Sequence, residues 1–168
     1  MAITLNQPNT IHLSGHAEEV GDLAAGVAIC PGMLVERYNP SGTIIRCRPH
    51  ATASVATAPN FAVEQSELNQ GVNDGYAIKD LVRSKIGGRG ATFWALIPSG
   101  QNITAGQKLE SNGDGTLKAY ATLGAALCSA MESVNNTTGS AGPTNPPPQT
   151  GNTTALPVGA ARIRVEIL

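Results

Sequence analysis

The sequence predicts an all-β fold in the form of a small β-barrel or sandwich. Short β-prone runs are separated by Gly and Pro at almost regular intervals, most clearly over residues 97–118. In that stretch the turn Asn112-Gly113-Asp114-Gly115 lies between residues 107–110 and 116–120. Asn-Gly and Asp-Gly supply the positive φ angles that tight hairpin turns require. This pattern is typical of a binding or structural module before it is typical of an enzyme.

The composition is that of a single charge-poor domain. With 168 residues, the chain is long enough for one hydrophobic core. Charged residues make up 14% and the net charge is −1, whereas about a quarter of the residues are charged in ordinary domains. A nearly neutral surface suits contact with other proteins, and a general nucleic-acid binder needs a basic excess. We therefore expect protein partners and no direct contact with nucleic acid.

Neither a membrane nor an oxidising compartment is indicated by the sequence. No apolar run approaches the length of a membrane span, and the first ten residues do not resemble a signal peptide. Cys30, Cys47 and Cys128 form an odd set without paired spacing. We expect them to be free thiols in a reducing compartment.

Residues 1–25 are predicted to form an extended N-terminal arm. Apolar anchors, among them Leu5, Ile11 and Leu13, are spaced along this stretch between polar residues. We expect the arm to lie on a partner or a neighbouring subunit, and the alternative is a frayed terminus. Residues 26–168 then form the β-barrel domain.

Turn residues divide the domain into predicted strands. Pro31-Gly32 separates strands at 27–30 and 33–36, and a second turn at 39–42 precedes a strand at 43–48. Residues 91–97 contain two of the six aromatic residues and predict a core strand. Three further predictions complete this part of the chain: a strand at 61–64, a strand or single helical turn at 76–83, and a mobile loop at 84–90.

The C-terminal third is less uniform. Residues 121–134 fit a helix by propensity or a strand by alternation, and the β-rich surroundings favour the strand. Residues 135–157 are rich in Pro, Thr and Asn and are predicted to form a long projecting loop. Residues 160–168 alternate as a final strand. In it Ile163, Val165 and Ile167 face inward while Arg162, Arg164 and Glu166 face outward.

No combination of residues in the sequence predicts chemistry. His12 and His16, with Glu18 and Glu19 nearby, could bind a metal only on a helix, and this stretch is not convincingly helical. Nucleophile-elbow, P-loop and zinc-protease motifs are missing. We therefore expect no enzymatic activity, no cofactor and no metal.

One positive cluster is a candidate contact site. It consists of Lys79, Arg83, Lys85 and Arg89, offset only by Asp80. It could dock on an acidic patch of a protein partner, and the alternative is a solvated loop.

The order of these segments resembles the capsid decoration (cement) proteins of tailed bacteriophages. The resemblance lies in Gly26 to Glu36, Tyr76-Ala77-Ile78, Phe93 to Leu109, the hairpin that follows, and Arg162 to Val165. It covers roughly residues 26–134 and 158–168, and the 135–157 insertion departs from the compact pattern of the family. The resemblance consists of short strands separated by glycine-containing turns, and it includes no catalytic motif.

The resemblance implies a small β-barrel or β-tulip-like domain that sits as a homotrimer on the outer surface of a phage capsid. The implied partner is the major capsid protein, and the implied role is stabilisation of the shell of a virion whose parts are made in the host cytoplasm. Two other classes remain open. One is a head fibre or host-attachment module, with the Pro/Thr-rich loop as its contact surface, and the other is a small enzyme whose residues meet only in space.

Overall fold

Antiparallel strands joined by short turns make up the protein, in agreement with the all-β prediction. The computed structural model describes residues 8–121, 123–139, 157 and 159–168. In these ranges the helical structure is one 3-10 turn at Ser66–Leu68, and no helix there has the length and apolar character needed to cross a membrane.

Thirteen strands are defined in chain order. They are β1 (His12–Ser14), β2 (Ala17–Ala24), β3 (Val35–Tyr38), β4 (Arg46–Pro49), β5 (Asn60–Ala62), β6 (Leu81–Gly87), β7 (Thr92–Ile97), β8 (Gln101–Ile103), β9 (Lys108–Ser111), β10 (Leu117–Ala119), β11 (Cys128–Ala130), β12 (Val134–Asn136) and β13 (Ala161–Ile167).

The strands form one large sheet and three small ones. The large sheet has the order β1-β7-β13-β11-β9-β10, and the small sheets are β2-β6-β5, β3-β4 and β12-β8. Within the described ranges the two outer strands of the large sheet, β1 and β10, do not pair with each other, so the predicted barrel does not close.

Two clusters of buried side chains fill the space between the sheets. The larger cluster is built on β7, whose six residues are all buried, and on the inward side chains of β13. Phe61 from β5 stacks on Phe93 from β7 at 4.9 Å between ring centroids. The smaller cluster contains Cys30 and Cys47 and lies under the β3-β4 hairpin.

The second half of the predicted N-terminal arm belongs to the sheets. β1 pairs with β7, and β2 pairs along its length with β6. Ile11 is fully buried in the larger cluster, and its N–H donates to a carboxylate oxygen of Glu64 at 2.9 Å. Residues 11–24 therefore belong to the folded domain. Their strand partners, β7 and β6, lie far along the same chain. Residues 1–7 lie outside the described ranges.

The hairpin prediction is confirmed. β9 and β10 pair in register around the turn, with Leu117 opposite Ser111 and Ala119 opposite Leu109. Gly113 and Gly115 have φ angles of 87° and 83°, which residues with a side chain rarely adopt. The turn chemistry therefore fixed this register locally.

Two other segments differ in part from their predictions. β6 continues to Gly87, so the predicted mobile loop at 84–90 is shorter and begins after this residue. In 121–134 the favoured strand is confirmed only at Cys128–Ala130, and β12 starts at Val134. The other described residues of this segment form turns and irregular structure.

Only the two ends of the predicted 135–157 loop can be compared with the structure. Asn136 is buried, and its side-chain N–H groups donate to Pro98 O at 3.0 Å and to Gly159 O at 2.8 Å. These bonds hold β12 against the residues that lead into β13. Residues 140–156, which make up most of the predicted loop, lie outside the described ranges.

The predicted C-terminal strand is confirmed as β13 of the large sheet, but one of its predicted outward residues points inward. Arg164 and Glu166 are exposed, whereas Arg162 is only 1% exposed. The reason is that two other segments cover this face at the start of β13, where the Arg162 guanidinium donates to Pro31 O, Val72 O and Asn73 Oδ1, so the first three residues of β13 are all buried. Alternation identifies a solvent face only where one face of the strand meets water.

Gly124 provides a first test of the packing around the β9-β10 hairpin. It lies against the buried carboxylate of Glu110, which accepts a hydrogen bond from Ser54 Oγ at 2.7 Å. A methyl group at position 124 would overlap this carboxylate. We expect Gly124→Ala to lower the free energy of unfolding by about 1–3 kcal/mol, the usual cost of overpacking.

Urea denaturation of the native chain and of Gly124→Ala measures this difference in the free energy of unfolding. The matched control is Gly21→Ala, because a methyl group at position 21 meets no atom within 4 Å. An equal stability of Gly124→Ala and Gly21→Ala would show that the hairpin can yield at Glu110.

Candidate binding surface

The residues of the predicted basic cluster are spread along β6. Lys79 lies before the strand, Arg83 and Lys85 lie within it, and Arg89 lies in the turn that follows. A seven-residue strand therefore separates Lys79 from Arg89, and the four cations do not form one compact patch.

Arg83 is committed to contacts inside the protein. Its Nε and Nη2 donate to the Glu19 carboxylate at 3.0 and 2.7 Å, and its Nη1 donates to Glu67. The hydrogen bond from Arg83 lowers the pKa of Glu67, and the two carboxylates raise the pKa of Arg83. Arg83 thus ties the 3-10 turn to β2 and is neutralised there.

The predicted apolar contacts of the arm are also placed differently. Ile11 is buried, and Leu13 is partly buried and packs against the larger cluster. The core of the same chain therefore uses Ile11 completely and Leu13 in part. Leu5 lies outside the described ranges.

An exposed apolar surface lies at the end of β6 where Lys79 is found. We call it the apolar end and define it by four side chains that are 43–63% exposed: Val27, Leu68, Ile78 and Leu81. Large apolar side chains gathered on the surface mark sites of interaction more often than isolated ones do.

Backbone pairing sets two members of the apolar end opposite each other, and a shared groove joins the other two. Ile29 pairs with Tyr76, and the Ala25 N–H donates to Asp80 O at 2.8 Å. The same antiparallel register places Val27 opposite Ile78. Leu68 and Leu81 share a groove of about 390 Å³ that is also lined by Gln65, Gln70 and Asp80.

A tight turn presents this surface to solvent. The Asp80 carboxylate accepts the Ala77 N–H at 2.7 Å, and the Asp80 N–H donates to Ala77 O at 3.1 Å. Between them Lys79 has a φ of 78°, a left-handed conformation that is uncommon for a residue with a side chain. The turn keeps Ile78 and Lys79 outside the core, and Lys79 of the predicted basic cluster therefore borders the apolar end.

A serine, a histidine and a glutamate also meet in the structure. Ser111 Oγ lies 2.7 Å from His50 Nδ1, and His50 Nε2 lies 3.6 Å from a Glu36 oxygen. The other Glu36 oxygen accepts from Arg48 Nε at 2.7 Å. These residue types resemble a hydrolytic triad, but Ser111 is 1% exposed and a substrate carbonyl has no path to it in this conformation. The chain of contacts joins β9 to the β3-β4 hairpin.

The histidines and cysteines singled out in the sequence show no metal-ligand geometry. His16 Nε2 lies 3.9 Å from Glu18, and both side chains are exposed. In the part of the chain that the structure describes, no group of three or more His, Cys, Asp or Glu side chains could hold a metal ion. All three cysteines are buried and form no disulfide. Burial raises the pKa of Cys30 and of Cys47 to about 11, so both remain thiols at neutral pH.

Comparison with known proteins identifies a similar fold. No protein-family model and no curated protein sequence matches the chain. The structure is similar to the crystal structure of the head fiber gp8.5 N base in bacteriophage phi29, with a TM-score of 0.52 and 13% sequence identity. The match covers 91% of this chain and 95% of that one. At this identity the likeness shows a shared fold, and its coverage extends over nearly the whole of both chains.

Proposed function

We propose that the chain is a structural protein of a bacteriophage virion, mounted on the outer surface of the head through contacts with the major capsid protein. The observation that carries this proposal is the fold shared with a phage head fiber base over nearly the full length of both chains. The resemblance of the strand order to phage decoration proteins, drawn from the sequence, supports the same setting.

The surface chemistry supports a protein that acts by contact. Few residues are charged, the apolar end is exposed, and the serine that lies against a histidine is buried. We assign the capsid contact to the apolar end together with Lys79. If three copies assemble as the resemblance implies, weak contacts would be made in parallel, and linked contacts dissociate far more slowly than single ones.

Two roles on the head are compatible with this placement. A cement protein holds neighbouring capsid subunits together and so resists the pressure of the packaged DNA. A head fibre base anchors a projecting segment, and the fold likeness fits this second role equally well. Cementing alone predicts that the mechanical strength of the shell depends on the protein.

Heating of matched particles separates the two roles. We expect particles that lack the protein to release their DNA at a lower temperature than complete particles, because capsid subunits would lose a shared contact. A dye that fluoresces on released DNA measures the two transition temperatures. Readdition of the purified chain to the deficient particles is the control, and it should restore the transition.

The remaining outcomes are also informative. Identical release curves with the protein present on the heads would exclude cementing and favour the fibre base. Absence of the protein from complete particles would contradict both roles.

A further inference from the structure

A groove opens where β3 and β5 move apart. The bridge between Leu34 and Phe61 joins the two segments, and the Ala62 N–H donates to Met33 O at 2.9 Å. Just beyond, the Asn60 N–H donates at 2.8 Å to Ala58 O of its own segment. The segments therefore diverge and leave a space of about 340 Å³, which is within the range of ligand-binding pockets.

Four strands and the segment before β5 line this groove. Its apolar surface comes from β2, β3, β6 and the segment before β5, and its polar surface from β3, β5 and that same segment. The lining residues are Val20, Val35, Glu36, Arg37, Thr57, Ala58, Asn60 and Ile86.

One wall of the groove is a free strand edge. The His50 N–H donates to Leu34 O at 2.9 Å, so the backbone of Leu34 faces β4. Successive residues of a strand turn their N–H and C=O groups to opposite sides. Arg37 is three residues after Leu34, so the backbone N–H and C=O of Arg37 point away from β4 and toward the groove. Within the described residues, no backbone hydrogen bond joins Arg37 to Thr57 or Ala58 on the opposite wall.

The other wall carries a buried acceptor without a donor. Asn60 is 7% exposed, and its side-chain oxygen has no hydrogen-bond partner among the described residues. Buried polar groups in proteins are nearly always hydrogen-bonded. An acceptor in this position favours a ligand that brings an N–H group.

The rim of the groove adds a positive charge. The Glu36 carboxylate is occupied by Arg48 at 2.7 Å and faces His50 at 3.6 Å. Arg37 is exposed, and no carboxylate of the described residues lies within 4.0 Å of its guanidinium. An acidic group on a ligand would therefore meet an uncompensated cation at this rim.

We propose that this groove binds an extended segment of another protein chain, which adds a strand to the free edge of β3. The backbone of the segment pairs with Arg37 and donates an N–H to Asn60. One aliphatic side chain of the segment packs against Val20 and Ile86, and an adjacent Asp or Glu pairs with the Arg37 guanidinium. In this mode the backbone hydrogen bonds provide affinity and the side-chain positions provide specificity. The proposal goes beyond the proposed function, because it concerns the isolated chain and no capsid enters its test.

Labelled hexapeptides test the proposal by fluorescence anisotropy. Three capped peptides alternate valine with threonine, and one threonine is kept, replaced by aspartate or replaced by lysine. We expect the aspartate peptide to bind about tenfold more tightly than the lysine peptide, since opposite charges across an interface favour the matched partner. In Arg37→Glu the order should reverse, whereas Arg89→Glu, at an exposed residue outside the groove, should keep it.

A steric block and a backbone block locate the binding. Ala58→Trp should fill the groove and abolish binding, while Ala105→Trp, in an exposed turn elsewhere, should leave it intact. N-methylation of the central valine should also abolish binding, because it removes a donor needed for strand pairing.

Three outcomes of the peptide measurements would overturn the proposal. They are no binding of any peptide at millimolar concentrations, equal binding to Ala58→Trp, and a preference that Arg37→Glu leaves unchanged. Self-association of the native chain that Ala58→Trp abolishes would identify a second copy as the occupant, and it too would overturn the assignment to another protein.

Discussion

Arg162→Ala is expected to lower the free energy of unfolding by about 4 kcal/mol, because it leaves buried carbonyl groups without donors. Arg162 Nη1 donates to Pro31 O at 2.8 Å, and Nη2 donates to Val72 O and to Asn73 Oδ1. The guanidinium also lies over the Trp94 ring, 5.1 Å from its centroid. One buried side chain of β13 thus holds two separate turns against the large sheet.

The charge of Arg162 is retained inside the protein. Burial lowers the pKa of Arg162 to about 10, which is still well above neutral pH. Arg162→Lys should therefore keep the charge but lose the forked donors that reach two loops at once. We expect it to be less stable than the native chain and more stable than Arg162→Ala.

Arg164→Ala is the matched control for this prediction. Arg164 lies on the same strand, but it is exposed, and substitutions at such sites usually change stability by less than about 0.5 kcal/mol. Urea denaturation followed by tryptophan fluorescence, which reports directly on Trp94, measures all three variants. Equal stabilities of Arg162→Ala and Arg164→Ala would contradict the role assigned to the buried arginine.

The double variant Leu68→Asp with Leu81→Asp is expected to weaken binding to phage particles by about 100-fold or more, since burying each leucine contributes about 1.5–3 kcal/mol. The two side chains line one groove at the apolar end and are exposed in the free protein. Their replacement should therefore leave the fold intact. Cosedimentation with particles that lack the protein measures the affinity.

Met131→Asp is the control for binding, because Met131 is half exposed but lies between β11 and β12 and is not part of the apolar end. Circular dichroism confirms that each variant is folded. A folded double variant that cosediments as well as Met131→Asp would place the capsid contact elsewhere on the protein.

The features that were predicted correctly depend on local sequence. The β9-β10 hairpin is specified by the glycines of its turn, and the C-terminal strand by strict alternation over residues 160–168. In both cases the signal lies within a few residues of the structure it determines. Neither required knowledge of which strands are neighbours.

The features that were missed depend on pairing between distant parts of the chain. The sequence analysis assigned β2 to an arm because its partner strand, β6, is far away in the sequence. Arg162 reads as exposed because alternation does not show that both faces of β13 are covered at its start.

The sequence analysis missed the apolar end for the same reason. Val27 and Ile78 each look like ordinary strand residues until the Ile29–Tyr76 register sets them opposite each other on the surface. The basic cluster gave a partial signal, since Lys79 borders this surface, but the sequence did not reveal that Glu19 and Glu67 neutralise Arg83.

Immunogold electron microscopy of intact phage particles tests the central claim most directly. Antibodies against the purified chain would be applied to particles made with and without it. The proposed function predicts gold on the outer surface of heads that contain the protein and none on heads that lack it. Complete particles without label, from a host in which the protein is abundant, would contradict a role in the virion.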